Sequence, residues 1–409
     1  MSQSTPARNF ARQPILDCKK RVFGYEFLYR PGTENRFCIS SPAVSESATR
    51  QMVDNSVLYD FESLAGRGKA FLNCTRDSLT SGLVTLLPAR STVLEILEDI
   101  EPDNEVLEAC RRLRALGYQF SLDDFVPRPG LEKFLPCADY IKIDFRLSGA
   151  SQRADIRRYL KGCDARLIAE KVEEQEEFDT AVEEGFDLFQ GYFFCRPDLL
   201  TRNHIPSNSL SYIQILAAVS KPSFEWRSVE KLVRRETSLC YRLLRLVNSA
   251  NFALRHEISS IERALILAGE DHFRKLVTVA IAAESGRGHS PELVRQTLQR
   301  ASFCELAAAH LNQDPTEQYL FGLLSLLPVL LGIPMPQVVE LLPLRAAVKD
   351  ALLGEPSEVR RSLECFQKYQ SGHWECLGCE GVFVCPDQMH NIYRSSLLWA
   401  EECTASMIE

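Results

Sequence analysis

In the first half of the chain, short apolar runs alternate with stretches of helical period. The runs are FARQPILD, VFGYEFLYR, KAFLNCT, TVLEILE, YQFSLDDF, YIKIDF, RLIAEKV and LFQGYFF, and each reads as a strand. Between them, NEVLEACRRLRALG (Asn104 to Gly117) puts Val106, Leu107, Cys110, Leu113 and Leu116 on one helical face, with Gly117 where a C-terminal cap belongs. Repeated strand–helix alternation predicts a parallel sheet. So many strands over about 200 residues favour closure into a TIM-like (β/α) barrel.

The pattern changes after Asn203. TRNHIPSNS is a polar break, and beyond it nearly every segment has helical period. WRSVEKLVRRETSLCYRLLRLVNSA (Trp226 to Ala250) and SIERALILAGEDHFRKLVTVAIAAE (Ser260 to Glu284) are the clearest helices, and prolines and glycines separate the rest. The expected organisation is α/β plus all-α: a barrel domain over residues 1–205 and an all-helical domain over 206–409.

Composition narrows the class. Hydrophobic residues make up 45% and charged residues 25%, ordinary for a globular protein. The net charge of -8 gives no broad attraction to nucleic acid. The longest apolar stretch, LFGLLSLLPVLLGIP (Leu320 to Pro334), is short and broken by Pro328, so it reads as a buried helix pair rather than a membrane span. The N-terminus lacks the apolar core of a secretion signal, and the 14 cysteines are scattered, which points to reduced thiols and a cytoplasmic location.

The strand ends carry the chemistry. Glu26, Asn73, Glu95, Asp123 with Asp124, Lys142 with Asp144, Glu170 and Gln190 fall near the ends of successive strands. A single charge there is usually a solvated rim residue. In a barrel, however, the strand ends converge on one mouth, and carboxylates gathered there repel unless cations neutralise them. Oxygen-only donors suit Mg²⁺, Mn²⁺ or Ca²⁺, and the absence of His from the set argues against zinc. Two bridged divalent ions form an arrangement that hydrolyses phosphodiesters, and Lys142 could orient water or a phosphate oxygen.

These motifs, in order, resemble the EAL domain. RQPILDCKKRVFGYEFLYR carries the signature as Glu26-Phe27-Leu28, and LNCT, LEILE, LDDF, IKID, AEKVE and QGYFFCRP follow, from about Arg12 to Pro197. The resemblance implies a phosphodiesterase that opens cyclic di-GMP to pGpG with two Mg²⁺ or Mn²⁺ ions. It implies that Glu26, Asn73, Glu95 and Asp123 ligate metal, that Asp124 serves the second ion and that Gln190 completes the shell. Lys142 would contact the attacking water, and Glu170 would be a ligand or general base. Gln13 and Arg30 would touch the dinucleotide, and Glu98 would brace the loop after the paired aspartates.

Two departures stand out. The family's glycine-rich loop after the aspartates is here FVPRPGLEKF, whose prolines fix φ and remove amide donors. Lys171 stands where the family has glycine. A homodimer is a candidate state, but the resemblance implies that the family's dimer contact uses that loop, and the loop is rebuilt here. The expected alternative to turnover is a silent barrel that binds cyclic di-GMP, or acts as a scaffold. An unrelated barrel phosphohydrolase is the weaker third reading.

The stretch Tyr241 to Val277, with its Val-Asn-Ser-Ala, Ile-Ser-Ser-Ile and Leu-X-Gly-Glu steps, resembles the HDOD domain. EAL followed by HDOD is the layout of YuxH-like signalling proteins. The chain has no His-Asp dipeptide, and Asp271-His272 has the reverse order. The helical half is therefore expected to bind an unknown protein partner rather than catalyse. Cys376, Cys379 and Cys385 with His390 could be zinc ligands, although they lack a second paired knuckle. Arg227, Arg234, Arg235, Arg242 and Arg245 could meet an acidic partner, but a solvated face balanced by Glu230 and Glu236 is the simpler reading.

Overall fold

The computed structural model describes residues 8–31, 68–195, 207–221, 225–248, 261–286, 289–372 and 386–408. The chain divides into two compact units, Met1–Arg196 with Gln370–Glu375, and Pro197–Tyr369 with Cys376–Glu409.

Eight strands form the first unit: β1 (Arg8–Asp17), β2 (Val22–Pro31), β3 (Lys69–Cys74), β4 (Thr92–Ile96), β5 (Gln119–Leu122), β6 (Tyr140–Asp144), β7 (Arg166–Glu170) and β8 (Leu188–Gln190). They close in sequence order into a barrel. All eight apolar runs become strands. The expected parallel sheet holds for β2 to β8 only, because β1 is antiparallel to both β2 and β8. Length is the reason. Only residues 18–21 separate β1 from β2, enough for a hairpin and far too few for a parallel crossover. Lys20, at φ 58°, makes the turn.

The helices between strands start and stop as their sequences direct. In α1 (Arg76–Ser81), the Thr75 hydroxyl accepts the Ser78 N–H. In α2 (Asn104–Ala115), the Asp103 carboxylate accepts the Val106 N–H. Gly117, at φ 94°, ends α2, while Val106, Leu107, Cys110 and Leu113 are buried. Leu116 is 57% exposed rather than part of that face, because the helix has ended there. Two further helices follow, α3 (Ala150–Tyr159) and α4 (Gln175–Glu183).

Alternation along the strands stacks the barrel interior in layers. Ile15, Phe71, Val93, Tyr140, Ile168 and Leu188 form one apolar cluster with Phe23 packed against it. The residues two positions nearer the mouth on these strands are Gln13, Asn73, Glu95, Lys142, Glu170 and Gln190. The apolar layer is thus the floor on which the polar layer stands. Gly24 occupies the matching place on β2, where a Cβ would lie 2.4 Å from the Lys69 carbonyl oxygen.

The second unit is helical: α5 (Ser207–Val219), α6 (Trp226–Val233), α7 (Thr237–Val247), α8 (Ile261–Ser285), α9 (Pro291–Ala308), α10 (Pro315–Leu324), α11 (Leu327–Leu331), α12 (Met335–Leu341), α13 (Ala346–Leu352), α14 (Arg361–Gln370) and α15 (Pro386–Ile408). The stretch broken by Pro328 is the expected buried pair, α10 and α11. The run from Ser260 is not one helix. Gly269 sits at φ 76° and ψ 169° and breaks α8, a conformation that glycine tolerates. Among the described residues, no helix is long and apolar enough to cross a membrane.

Truncating the floor should be costly. Phe71→Ala is expected to destabilise the barrel by about 3–5 kcal/mol, read as a lower urea midpoint, and an unchanged midpoint would contradict the layered core.

Candidate active site at the barrel mouth

Strand register brings the polar layer together. Gln13 pairs with Glu26 across β1 and β2, Asn73 with Glu95 across β3 and β4, and Asp144 with Glu170 across β6 and β7. Because β1 runs backwards, it delivers Gln13, two residues before the floor residue Ile15, to the same level. Gly191, at φ 148°, lets the chain leave β8 against Val172, whose carbonyl oxygen lies 1.9 Å from where a Cβ would be.

The centre is Lys142, 1% exposed. Its Nζ lies 2.8 Å from Glu170 Oε1, 2.9 Å from Asp123 Oδ1, 3.1 Å from Glu95 Oε1 and 3.3 Å from Glu26 Oε2. Gln190 Nε2 donates to Glu26 Oε2 at 2.5 Å and to Gln13 Oε1 at 3.1 Å. The sequence candidates Glu26, Glu95, Asp123, Lys142, Glu170, Gln190 and Gln13 therefore meet in one cluster. Asn73 is half-buried beside Glu95 in the register. Arg30 lies on β2 opposite Asn9, and its side chain is outside the described residues.

Charge balance shapes the cluster. Burial alone would lower the proton affinity of Lys142, but Asp123, Glu170, Glu26 and Glu95 together hold it well above the ordinary lysine range. Burial pushes Glu95 and Glu170 up despite the pull of Lys142, and the neighbouring carboxylates push them further. One ammonium among four carboxylates does not suffice, so the metal-free cluster favours retaining protons.

A second, outer group adjoins the first. Asp144 Oδ1 accepts the N–H groups of Arg146 and Leu147 at 2.9 Å each, and Oδ2 accepts from Lys171 Nζ at 2.5 Å. Asp124 sits at φ 40°, with Oδ1 3.7 Å from Lys171 Nζ. Beyond it, the Pro-rich loop helps to line a cavity of about 200 Å³ with Asp123, Asp124 and Arg128. Glu98 is exposed, and Arg128 Nη2 donates to its carbonyl oxygen rather than its carboxylate. Ser121, fully buried one alternation before Asp123, escaped the sequence reading. Its pairing with Glu95 across β4 and β5 was not visible without the register.

Among the described residues, no three acidic, histidine or cysteine side chains form a ready-made metal cage, since the Lys142 ammonium stands where the carboxylates converge. The donor atoms nonetheless fit a divalent cation. Asn73 Oδ1, Glu95 Oε2, Asp124 Oδ1 and Gln190 Oε1 are buried oxygens without a hydrogen-bond partner, and Glu95 Oε1 has only its ion pair with Lys142; hard oxygen donors suit such ions.

A sequence model of the EAL domain matches residues 8–197, and one of the HDOD domain matches 205–340. The Cyclic di-GMP phosphodiesterase CdgJ of Vibrio cholerae serotype O1 is 35% identical over 376 residues, covering 90% of this chain and 87% of that protein. This chain belongs to the EAL–HDOD family. The Uncharacterized protein YuxH of Bacillus subtilis is 33% identical over 400 residues, covering 95% of this chain and 97% of that protein. The crystal structure of an EAL domain protein from Listeria monocytogenes EGD-e is 24% identical, with a TM-score of 0.39, covering 46% of this chain and 88% of that one.

In the HDOD half, His272 is exposed and its neighbour Asp271 pairs with Arg274 Nη1 at 2.8 Å. His390 is buried, with Nδ1 3.4 Å from the Tyr369 hydroxyl. Cys376, Cys379 and Cys385 lie outside the described residues. On the basic face, Arg234 pairs with Glu230 at 2.7 Å, while Arg242 pairs with Glu284 at 2.8 Å, an acid outside the pair Glu230 and Glu236 named from the sequence.

The raised proton affinity of Glu170 gives a stability test in the EAL half. Its folded value lies above the ordinary 4.5. Its contribution is therefore most favourable below that pH and is lost as pH rises through the folded value. Glu170→Gln removes the ionisation. In chelator-treated protein, the variant should gain stability relative to wild type at pH 8, and the gain should shrink towards pH 4.5. Thermal unfolding at both pH values checks this, and a variant weaker than wild type at pH 8 would refute it.

Proposed function

We propose that the EAL half is a phosphodiesterase that hydrolyses cyclic di-GMP to linear pGpG, supported by divalent Mg²⁺ or Mn²⁺. The observation that carries this reading is the convergence of Glu26, Glu95, Asp123 and Glu170 on one point of the mouth. The similarity to CdgJ along most of both chains supports the substrate.

Glu26, Asn73, Glu95, Asp123, Asp124 and Gln190 would hold the cations, which supply positive charge that polarises the phosphodiester and acidifies water. The chain's own groups do the rest. Glu170, buried and of raised proton affinity, takes the proton of the attacking water. The water oxygen bonds to phosphorus, the bond from phosphorus to the ribose 3′ oxygen breaks, and that oxygen takes up a proton. Lys142 offers its ammonium to the charge that develops on the phosphoryl oxygens. Gln13 and Arg30 orient the dinucleotide.

The second reading, a cyclic di-GMP receptor or scaffold without turnover, is favoured by the outer group, where Asp124 already faces the Lys171 ammonium. In either reading, the HDOD half is the output module and binds a protein partner.

Glu26→Ala and Asp123→Ala should each lower pGpG formation by more than about a hundredfold, since even groups that merely orient metal ligands are worth 10–100-fold. Chromatography of cyclic di-GMP digests with Mg²⁺ or Mn²⁺ reads the result. Full activity in either variant would remove that residue from the site. A wild-type protein that binds the nucleotide without converting it would establish the receptor reading instead.

A further inference from the structure

The acidic mouth contains two lysines in unlike settings. Lys142 is 1% exposed and surrounded by carboxylates, whereas 52% of the Lys171 side chain is exposed. Lys171 is nevertheless held. Two backbone amides anchor Asp144 Oδ1, which leaves Oδ2 to receive Lys171 Nζ at 2.5 Å. The backbone of Lys171 adopts φ 58°, disfavoured for a residue with a Cβ. On its other side stands Asp124 Oδ1, a buried oxygen with no hydrogen bond, 3.7 Å from the ammonium. That separation is too long for a hydrogen bond and short enough for charge neutralisation.

We infer that Lys171 is a tethered cation that fills the outer half of the acidic mouth and sets how readily a second divalent ion is taken up beside Asp124. This rests on the reading of the mouth as a divalent-cation site. A fixed positive charge this close to a donor oxygen opposes the entry of a doubly charged ion. Half-exposed, on a flexible four-carbon stem, the ammonium can swing into solvent, so the second ion is weakened rather than excluded. The inner group sets four carboxylates, Glu26, Glu95, Asp123 and Glu170, against the single Lys142 ammonium, whereas only Asp124 and Asp144 face Lys171, so the inner position keeps the larger excess of negative charge and the stronger pull on an ion. Occupancy of the outer position then follows the ambient ion concentration, which gives the site a graded dependence on divalent ions.

Calorimetric titration of the full chain with Mn²⁺ tests this through stoichiometry and affinity. Wild type should bind one ion tightly and a second at least about tenfold more weakly. Lys171→Gly, which accepts the left-handed backbone, and Lys171→Asn, which is neutral and tolerates it, should both tighten the second ion about tenfold or more. Lys171→Arg should keep the wild-type pattern. Two equally tight ions in wild type, or a second affinity unmoved in both neutral variants, overturns the inference while the cation site stands. A change in Lys171→Gly alone assigns the effect to backbone strain and also overturns it. No Mn²⁺ bound by any of the proteins overturns the cation site and the inference together.

Discussion

One buried ammonium organises the mouth of the barrel. Lys142 has four carboxylates within 3.3 Å and almost no contact with solvent. With all five groups ionised the cluster would carry a net charge of -3, four negatives against one positive. In a buried site such an imbalance adds to the cost of desolvating each group. Burial first, and then the neighbouring carboxylates, raise the proton affinity of Glu95 and Glu170, and the excess of negative charge favours further positive charge. Losing one partner of a buried pair typically costs about 3–5 kcal/mol. Removing Lys142 would strand several partners at once.

The cluster exists because the strands give it a fixed height. Side chains alternate with a period of two, so most polar residues of the mouth stand one step above an apolar residue of the floor, while Glu26 stands above Gly24 and Asp123 above Ser121. Phe71 carries Asn73, Val93 carries Glu95, Tyr140 carries Lys142, and Ile168 carries Glu170. The floor is close-packed, with Phe71 and Tyr140 in edge contact at 5.2 Å. A slip of one residue in any strand would turn its functional side chain away from the lumen. The geometry of the mouth thus depends on apolar packing that lies outside the polar cluster.

The same periodicity explains what was legible in the sequence. The strands were visible as apolar runs, and the acids were visible by their place near strand ends. Joining them into one ring needed closure of the sheet, which repeated alternation supplied. The direction of β1 was legible in principle, since the four residues 18–21 cannot span a crossover, yet an apolar run carries no mark of its direction. The break at Gly269 lay hidden because a single glycine does not disturb helical period. Ser121, the carbonyl-directed bond of Arg128 to Glu98 and the triangle of Asp124, Asp144 and Lys171 could not be read at all. Each depends on distances between residues of different strands or loops, which only register and backbone dihedrals decide.

The two halves manage charge in opposite ways. In the HDOD half, several of the described charges are matched locally. Arg242 meets Glu284, and Arg295 meets Glu292 one turn earlier on α9. Arg274, 4% exposed, donates to the carbonyls of Val219 at 2.6 Å and Lys221 at 3.1 Å, closing the end of α5. These arginines hold helices in place, and their charge is used up in doing so. In the EAL half, acids outnumber bases at a single buried point. A cluster matched within itself stabilises or specifies a fold, whereas one left with excess negative charge and buried oxygens without hydrogen bonds is built to receive something positive. That asymmetry, more than the presence of acidic residues as such, assigns the chemistry to the barrel.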